Sequence, residues 1–406
     1  MDPYQITLNE TLLARLFQND GLKPLLEELL NQVLNAQVTE QIGAEPYERS
    51  PFRQNSRNGY RERPITTRIG TLTLQVPRLR HGTFTSDLYE RYQRSELALL
   101  CTMVEMVVQG VSTRKVNSVV EEMCGAEVSK STVSALCQKL DPVVNAWRER
   151  DLSDKAYPFV LVDALVVRVR ENKQVRQKSL LIATGINEEG YREILGLLLG
   201  DKESETSWKE LFTALKKRGL HGVDMIVSDA HEGLINAIHS HLQGAVWQRC
   251  QTHLTRNILD ACPKSEQKAL HEALRRIFQA EDADTARIEL NSLLKNFEKR
   301  ADKAIELVEN SFDDATAILT LPEYYRKRLR TTNSQERLNL EVRRRENVIR
   351  IFPNPESAER LLGAILIELD EHFSSGHRYF DMTEYRLYKQ MEQQQHSLKE
   401  SAAKAV

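Results

Sequence analysis

Two aspartates stand where an α/β sheet presents its chemistry. Asp163 directly follows the apolar run Phe159–Val162, and Asp229 directly follows Val223–Val227 and Ser228. An acid at the carboxyl end of a strand lies on the edge where such sheets bind ligands. One such acid is ordinarily a turn or cap residue, and Asp229 could simply cap a helix over 231–241. Two in one sheet form a pair of hard oxygen ligands suited to Mg²⁺ or Mn²⁺. Two ions held a few ångströms apart can activate an attacking oxygen and stabilise the leaving one. A site of that kind wants a third carboxylate.

The elements that must position these acids begin near Tyr157. Residues 159–162 read as a buried strand, 166–170 alternate as a second, and 179–186 form a third. A helix over 204–217 gathers Trp208, Leu211, Phe212 and Leu215 on one face, and Gly219 follows it as a cap. A fourth strand covers 223–227, a helix 231–241 and a fifth strand 245–248. The order β-β-β-α-β-α-β predicts an α/β layered domain with a mixed sheet. Residues 252–312 are helical in pattern with a break at Pro263, and helices follow over 334–347 and 356–373. The tail beyond about Gln390 is polar.

Upstream, residues 9–40 read as a helix carrying Leu22, Leu25, Leu26, Leu29, Leu30, Val33, Leu34 and Val38 at helical spacing. A polar, Pro-punctuated loop spans 44–58, and 64–78 predicts a short hairpin around Gly70 that ends at Pro77. Residues 95–140 suggest three helices. The second opens at Ser112 and the third at Ser129, with Val133, Leu136 and Leu140 on one side and Lys130, Ser131, Thr132 and Gln138 elsewhere. This is helix-turn-helix grammar, whose second helix enters the major groove by its N-terminal end. A plain three-helix packing unit is the alternative.

Length and composition bound the rest. At 406 residues the chain suggests two to three domains. With 17 Gly and 12 Pro it is turn-poor, so helix-rich. No apolar run approaches the roughly 18 residues of a membrane span, and no secretory signal is evident. Five scattered cysteines fit reduced cytosolic thiols, so a cytoplasmic location is expected. The net charge of −2 hides two basic blocks. Arg49–Arg80 holds eight arginines and one acid, and Arg326–Arg350 holds nine basic residues against three glutamates. Phosphate contacts are local, and arginine forks hold phosphate with two hydrogen bonds at once.

The string from Thr331 through Asn333-Ser334-Gln335-Glu336-Arg337 to Arg343-Arg344-Arg345, continuing Val348-Ile349-Arg350-Ile351-Phe352-Pro353-Asn354, resembles the signature of the bacterial Mutator-type insertion-sequence transposases. Three more segments agree with it: Val162-Asp163-Ala164-Leu165, Ser228-Asp229-Ala230-His231-Glu232-Gly233-Leu234, and the Cys-x₂-His segment Trp247 to Asn257. The N-terminal Arg57-Asn58-Gly59-Tyr60-Arg61 and Val76-Pro77-Arg78 also fit. The resemblance covers roughly residues 20–375.

It implies an RNase H-like core with a DDE triad of Asp163, Asp229 and Glu336 binding two Mg²⁺ or Mn²⁺ ions. The 106 residues between Asp229 and Glu336 would then hold an all-helical insertion. The implied layout is N-terminal helices, Arg-rich loop and hairpin over 1–94; a helix-turn-helix domain over 95–150; core over 151–253 and 326–375; insertion over 254–325; and a C-terminal helix and tail over 376–406. Glu341 and Glu346 share the helix of Glu336, but Glu336 and Glu341 point about 140° apart, so they cannot both face one site. Cys250-x₂-His253 alone is half a zinc site, with no second pair at suitable spacing. In the family it is a hallmark near the active site, read as structural or DNA-positioning. His231 either touches substrate or lines the helix start.

The activity implied is metal-dependent cleavage and joining of DNA at the inverted repeats of a mobile element. Double-stranded DNA would meet Arg57, Arg61, Arg63, Arg78, Arg80, Lys130, Ser131, Thr132, Gln138, Arg256, Arg337, Arg343, Arg344 and Arg345. A homodimer or larger assembly would bring two ends together, acting at the bacterial nucleoid and independently of any membrane. A helix-turn-helix regulator with a ligand-sensing domain would explain 95–140 but not three acids. A structure-specific nuclease would hydrolyse without joining.

Overall fold

The computed structural model describes residues 22–67, 70–86, 100–124 and 130–404. The chain divides into two compact units, Met1–Gln138 and Lys139–Val406. Among the described residues, no helix is long and apolar enough to cross a membrane.

In the first unit, helix α1 (Leu22–Ile42) packs on an antiparallel hairpin of β1 (Arg57–Thr67) and β2 (Gly70–Leu79). The part of the expected 9–40 helix before residue 22 lies outside the described residues. Alternation decides which face of β2 is buried: Leu72, Leu74 and Val76 meet Leu34 and Ile65 in the core, whereas Thr73 faces water. Strand β1 begins at Arg57, inside the stretch expected to be a loop. Two side chains hold that entry against α1. Arg57 donates to Thr39 Oγ1 at 2.6 Å and to the Ala44 carbonyl at 3.1 Å, and the Tyr60 hydroxyl donates to Asn35 at 2.9 Å.

The same unit holds helices α2 (100–108), α3 (Thr113–Cys124) and α4 (Lys130–Cys137) around Met103, Val116, Val120, Val133 and Leu136. Ser112 caps α3 by accepting the Lys115 amide at 3.3 Å. Ser129, the expected cap of α4, lies outside the described residues. Helix α4 stops at Cys137, and Gln138–Leu140 tightens into a 3₁₀ turn.

The second unit opens with α5 (Asp141–Arg148), followed by β3 (Phe159–Glu171), β4 (Gln174–Ile186), β5 (Arg192–Gly200), α6 (Glu205–Lys217), β6 (Met225–Ser228), α7 (Glu232–His241) and β7 (Val246–Arg249). Helices α8 (Gln251–Asp260), α9 (Gln267–Phe278), α10 (Ala283–Phe297), α11 (Asp302–Thr316) and α12 (Glu323–Leu329) come next. They lead to α13 (Asn333–Glu346), α14 (Pro355–Ser375) and α15 (Thr383–Lys404). Helix α5 docks on α14 through Arg360–Asp141 at 2.5 Å, Arg148–Glu359 at 2.7 Å and Trp147–Asp370 at 2.9 Å.

The five strands form one mixed sheet in the order β5-β4-β3-β6-β7. Strands β3, β4 and β5 run antiparallel to their neighbours, and β3, β6 and β7 run parallel. Residues 159–162 and 166–170, expected as two strands, are one. Asp163, Ala164 and Leu165 stay in register against Ile182, Leu181 and Leu180 of β4. The turn to β4 has only two residues, Asn172 and Lys173, both at positive φ (49° and 65°). That conformation matches the twist of a tight hairpin. Strand β5 was not expected: Gly196, Gly200 and a leucine run are weak strand formers. Strand β4 supplies its pairing partner, and α6 and α14 supply its burial.

Both faces of the sheet's centre are covered. Val160 and Val162 of β3 face Trp208, Phe212 and Ile238 of α6 and α7. Phe159 and Leu161 face a second core shared with α8–α12 and α15. This explains the unbroken apolar run at the start of β3. Beyond Asp163 burial alternates, with Leu165, Val167 and Val169 inside and Val166, Arg168 and Arg170 exposed. Phe159, Tyr325, Phe380 and Tyr385 pack ring edge to face or tilted. The Tyr385 hydroxyl also donates to Asp224 at the foot of β6.

Candidate active site

The sheet register brings two acids level. Leu161 of β3 pairs with Val227 of β6, so Asp163 and Asp229, each two residues on, lie side by side at the parallel edge. Strand β6 ends at Ser228 while β3 runs on. The next chain to bond along that edge of β3 is Phe352, which pairs with Val169. The stretch of β3 between these partners, where Asp163 lies, is covered by α13. Asn339 donates to Asp163 Oδ2 at 2.7 Å, and one turn earlier the Thr184 hydroxyl donates to Gln335 at 2.7 Å. These two side chains, four residues apart, fasten α13 to β3 and β4 and set Glu336 on the adjoining face.

Glu336 lies in the first turn of α13, where the helix dipole favours a carboxylate. Its Oε1 is 3.5 Å from His253 Nε2 in the first turn of α8. Cys250, fully buried, caps α8. Its amide donates to the Ser228 carbonyl at 2.7 Å, and its sulfur accepts from the Thr332 amide and hydroxyl at 3.4 and 3.3 Å. The structure therefore gathers Asp163, Asp229, Glu336, Cys250 and His253 into one crevice. Asp229 does not cap α7: His231 occupies the cap position, and its side chain makes no cap bond.

Two polar residues of this crevice escaped the sequence reading. Asn339 carried no signal beyond its place on α13, four residues from Gln335. Glu203 stands between β5 and Ser204, the cap of α6, and could not be placed while β5 was unrecognised. Its Oε1 accepts from Trp208 Nε1 at 3.3 Å and lies 3.9 Å from His231 Nδ1. Gly233 allows the approach: a Cβ there would lie 2.5 Å from the Glu205 amide nitrogen, so only glycine lets the first turns of α6 and α7 meet.

The electrostatics are those of crowded carboxylates. Burial pushes the Asp163 carboxyl up to about 7, and Asp229 and Glu203 add to it against the Ala164 amide and His253. Burial likewise raises Glu203, with Asp229 acting in the same direction. The Cys250 sulfur holds His253 above the ordinary imidazole range against the cost of burial, helped by Asp229 and Glu336. His253 thus faces three acids.

The donor set fits a hard divalent cation. Its oxygens come from carboxylates, and Asn339 Oδ1, beside Asp163, is buried with no hydrogen-bond partner. As the side chains stand, no three His, Cys, Asp or Glu groups among the described residues converge at ion-binding distance. Among the described residues, Cys250 and His253 likewise gain no further thiol or imidazole that would complete a zinc site.

The profile of the family described as "Transposase, Mutator family" matches residues 5–376. The transposase of insertion sequence IS256 in transposon Tn4001 of Staphylococcus aureus is 47% identical over 367 residues, covering 90% of this chain and 94% of that one. That of ISRM5 from Rhizobium meliloti is 40% identical over 92% and 93%. That of IS1081 from Mycobacterium tuberculosis is 38% identical over 89% and 88%. The chain belongs to the Mutator family of transposases.

In this Mutator-family transposase the expected DNA contacts fall into two groups. Arg61, Arg78, Arg80, Ser131, Thr132, Gln138, Arg256, Arg337 and Arg344 are exposed, and Arg63 and Arg343 are half-buried. Lys130 begins α4. Two arginines are committed elsewhere. Arg57 clamps α1 to the hairpin, as above. Arg345 is 5% exposed and forms a fork with Glu368 at 2.6 and 3.0 Å, with Glu341 3.0 Å from its Nε. It faces inward because its position on α13, seven residues on from Leu338, falls on the buried stripe. The same contacts occupy Glu341 and hold its carboxyl down at about 2, the Arg344 hydrogen bond contributing most.

Proposed function

We propose that this chain is the transposase of an insertion sequence, binding its terminal inverted repeats and catalysing strand cleavage and transfer through Asp163, Asp229 and Glu336. The observation that carries this reading is the level placement of Asp163 in mid-β3 and Asp229 just beyond β6, with Glu336 of α13 beside the same His253 that both aspartates act on. The strand order, with an antiparallel hairpin pair beside two parallel strands, supports an RNase H-like core. The helical stretch α8–α12 between β7 and α13 supports an insertion within it.

Asp163, Asp229 and Glu336 would hold two Mg²⁺ or Mn²⁺ ions. When bound, these supply charge stabilisation for an in-line displacement at phosphorus, the nucleophile being water or a DNA 3′-hydroxyl. The chain's own part is placement. Asn339 aims Asp163, His253 holds Glu336, and Arg337 and Arg344 face outward for backbone phosphates. The exposed arginines of the hairpin and the α3–α4 pair would grip the repeats. Two ends imply at least a dimer on DNA.

The test uses purified protein and labelled DNA carrying the gene's own flanks, in Mg²⁺ or EDTA, beside Asp163→Asn, Asp229→Asn and Glu336→Gln. Metal-dependent nicks at the repeat tips and joined products, each reduced by about 10³-fold in every variant, are expected. Specific binding with no cleavage, unchanged in the variants, overturns the reading.

A further inference from the structure

Beside the crevice lies a cavity of about 510 Å³, lined by Val166, Arg168, Gln177, Arg343, Glu346 and Arg350 among others. Its size is that of a pocket for one small organic ligand. Glu346 is 4% exposed, and its Oε2 makes no hydrogen bond; the nearest cation, Arg343 Nη1, is 3.7 Å away. A buried carboxylate oxygen in that position wants an N–H donor from a ligand. Three guanidinium groups around the same space want an anion. Arg350 is held there at φ +62°, a conformation that disfavours every side chain with a Cβ.

A nucleotide offers both an amino group and an anion, and beside a site that acts on DNA it is the ligand already at hand. We infer that this cavity receives one nucleotide turned out of the DNA stack beside the reacting phosphate, its amino-bearing base edge on Glu346 and its phosphate on Arg343 and Arg350. The inference rests on the proposed reading of the crevice. Arg343 lies seven residues beyond Glu336 on α13, about 10 Å along the helix. Val166 lies three residues beyond Asp163 on β3, again about 10 Å. The separation corresponds to about three nucleotide rises of 3.4 Å. Carboxylates accept from the exocyclic amine of cytosine, and extruded bases are read by hydrogen bonds to that edge. Thymine has no such amine and would be the poorest occupant.

The experiment places 2-aminopurine, fluorescent when unstacked, singly at each of the terminal positions of the repeat DNA. Binding by the intact chain should brighten one position within about three nucleotides of the cleaved phosphate. Arg350→Gly relieves the positive φ, so it should fold at least as well as the parent and, at concentrations that saturate the ends, lose most of the brightening. Glu346→Gln should weaken it similarly. Wild-type protein that cleaves this DNA without brightening any position, or Arg350→Gly that brightens it fully, overturns the inference and leaves the crevice assignment standing. Failure to cleave at all, measured on the same DNA, counts against the crevice assignment itself.

Discussion

The sulfur of Cys250 accepts two hydrogen bonds from Thr332, one from its amide at 3.4 Å and one from its hydroxyl at 3.3 Å. Because the Cys250 amide also bonds Ser228, one residue joins the chain just before Asp229 to the cap of the helix carrying Glu336. Cys250→Ala leaves two buried donors of Thr332 unpaired, at a cost of about 1–3 kcal/mol. The double variant with Thr332→Val should be less destabilised than the sum of the two single changes. Additive losses in chemical denaturation would show that the clasp does not exist.

The raised Asp163 carboxyl has a stability consequence with a definite sign. Its folded-state value of about 7 lies above the ordinary carboxylate value, so the folded chain holds this proton more tightly than the unfolded one. Stability from this group is present at low pH and drains away as pH rises from about 4 to 7. In EDTA, Asp163→Asn should therefore be more stable than wild type at pH 8, by up to a few kcal/mol, and the gap should close near pH 4. Equal stability at both pH values would contradict the crowding of acids around it.

Divalent ions should reverse that ranking. Mn²⁺ at about 100 times its Kd would stabilise wild type by about 2.7 kcal/mol. The double variant Asp163→Asn/Asp229→Asn should show no such shift. A thermal shift of equal size in both proteins would place the ion elsewhere.

Gly233 sits where a methyl group would press on the Glu205 backbone. Gly233→Ala should cost about 1–3 kcal/mol through overpacking, and should slow DNA cleavage by displacing Glu203 and His231 from Asp229. Unaltered unfolding and cleavage would mean that the two helix starts part freely.

Adjacent arginines of α13 should behave oppositely. Arg345→Met removes the buried fork to Glu368 while Glu341 keeps Arg344, and should destabilise the fold by about 1–3 kcal/mol. Arg344→Ala, at a position 60% exposed, should leave stability nearly unchanged and flatten the salt dependence of DNA binding. Titrating binding against salt beside urea unfolding separates the two.

The two aspartates were legible because each follows an apolar run too short for anything but a buried strand. The unity of β3 was not, since an acid in mid-strand looks like an end; only the unbroken ladder to β4 shows otherwise. Strand β5 was hidden by its glycines, and with it went Glu203, whose place depends on where that strand stops. Arg57 and Arg345 look like any other arginine in a basic run. Their partners, Thr39 and Ala44 for one and Glu368 for the other, are 13 to 23 residues away, beyond the reach of local pattern. Helical angle showed only that Glu336 and Glu341 cannot face one site; the choice of Glu336 rested on its place in the Asn-x-x-Glu-Arg pattern that the family resemblance supplies.

The family profile ends at residue 376, yet the core beneath β3 does not. Phe380 and Tyr385 lean on Phe159, and Tyr385 reaches Asp224, so the entry to the last helix is the keystone under the strand that carries Asp163. A chain cut at the family boundary would keep every acid of the crevice and lose the floor they stand on. It would carry the full chemistry on paper and none in solution.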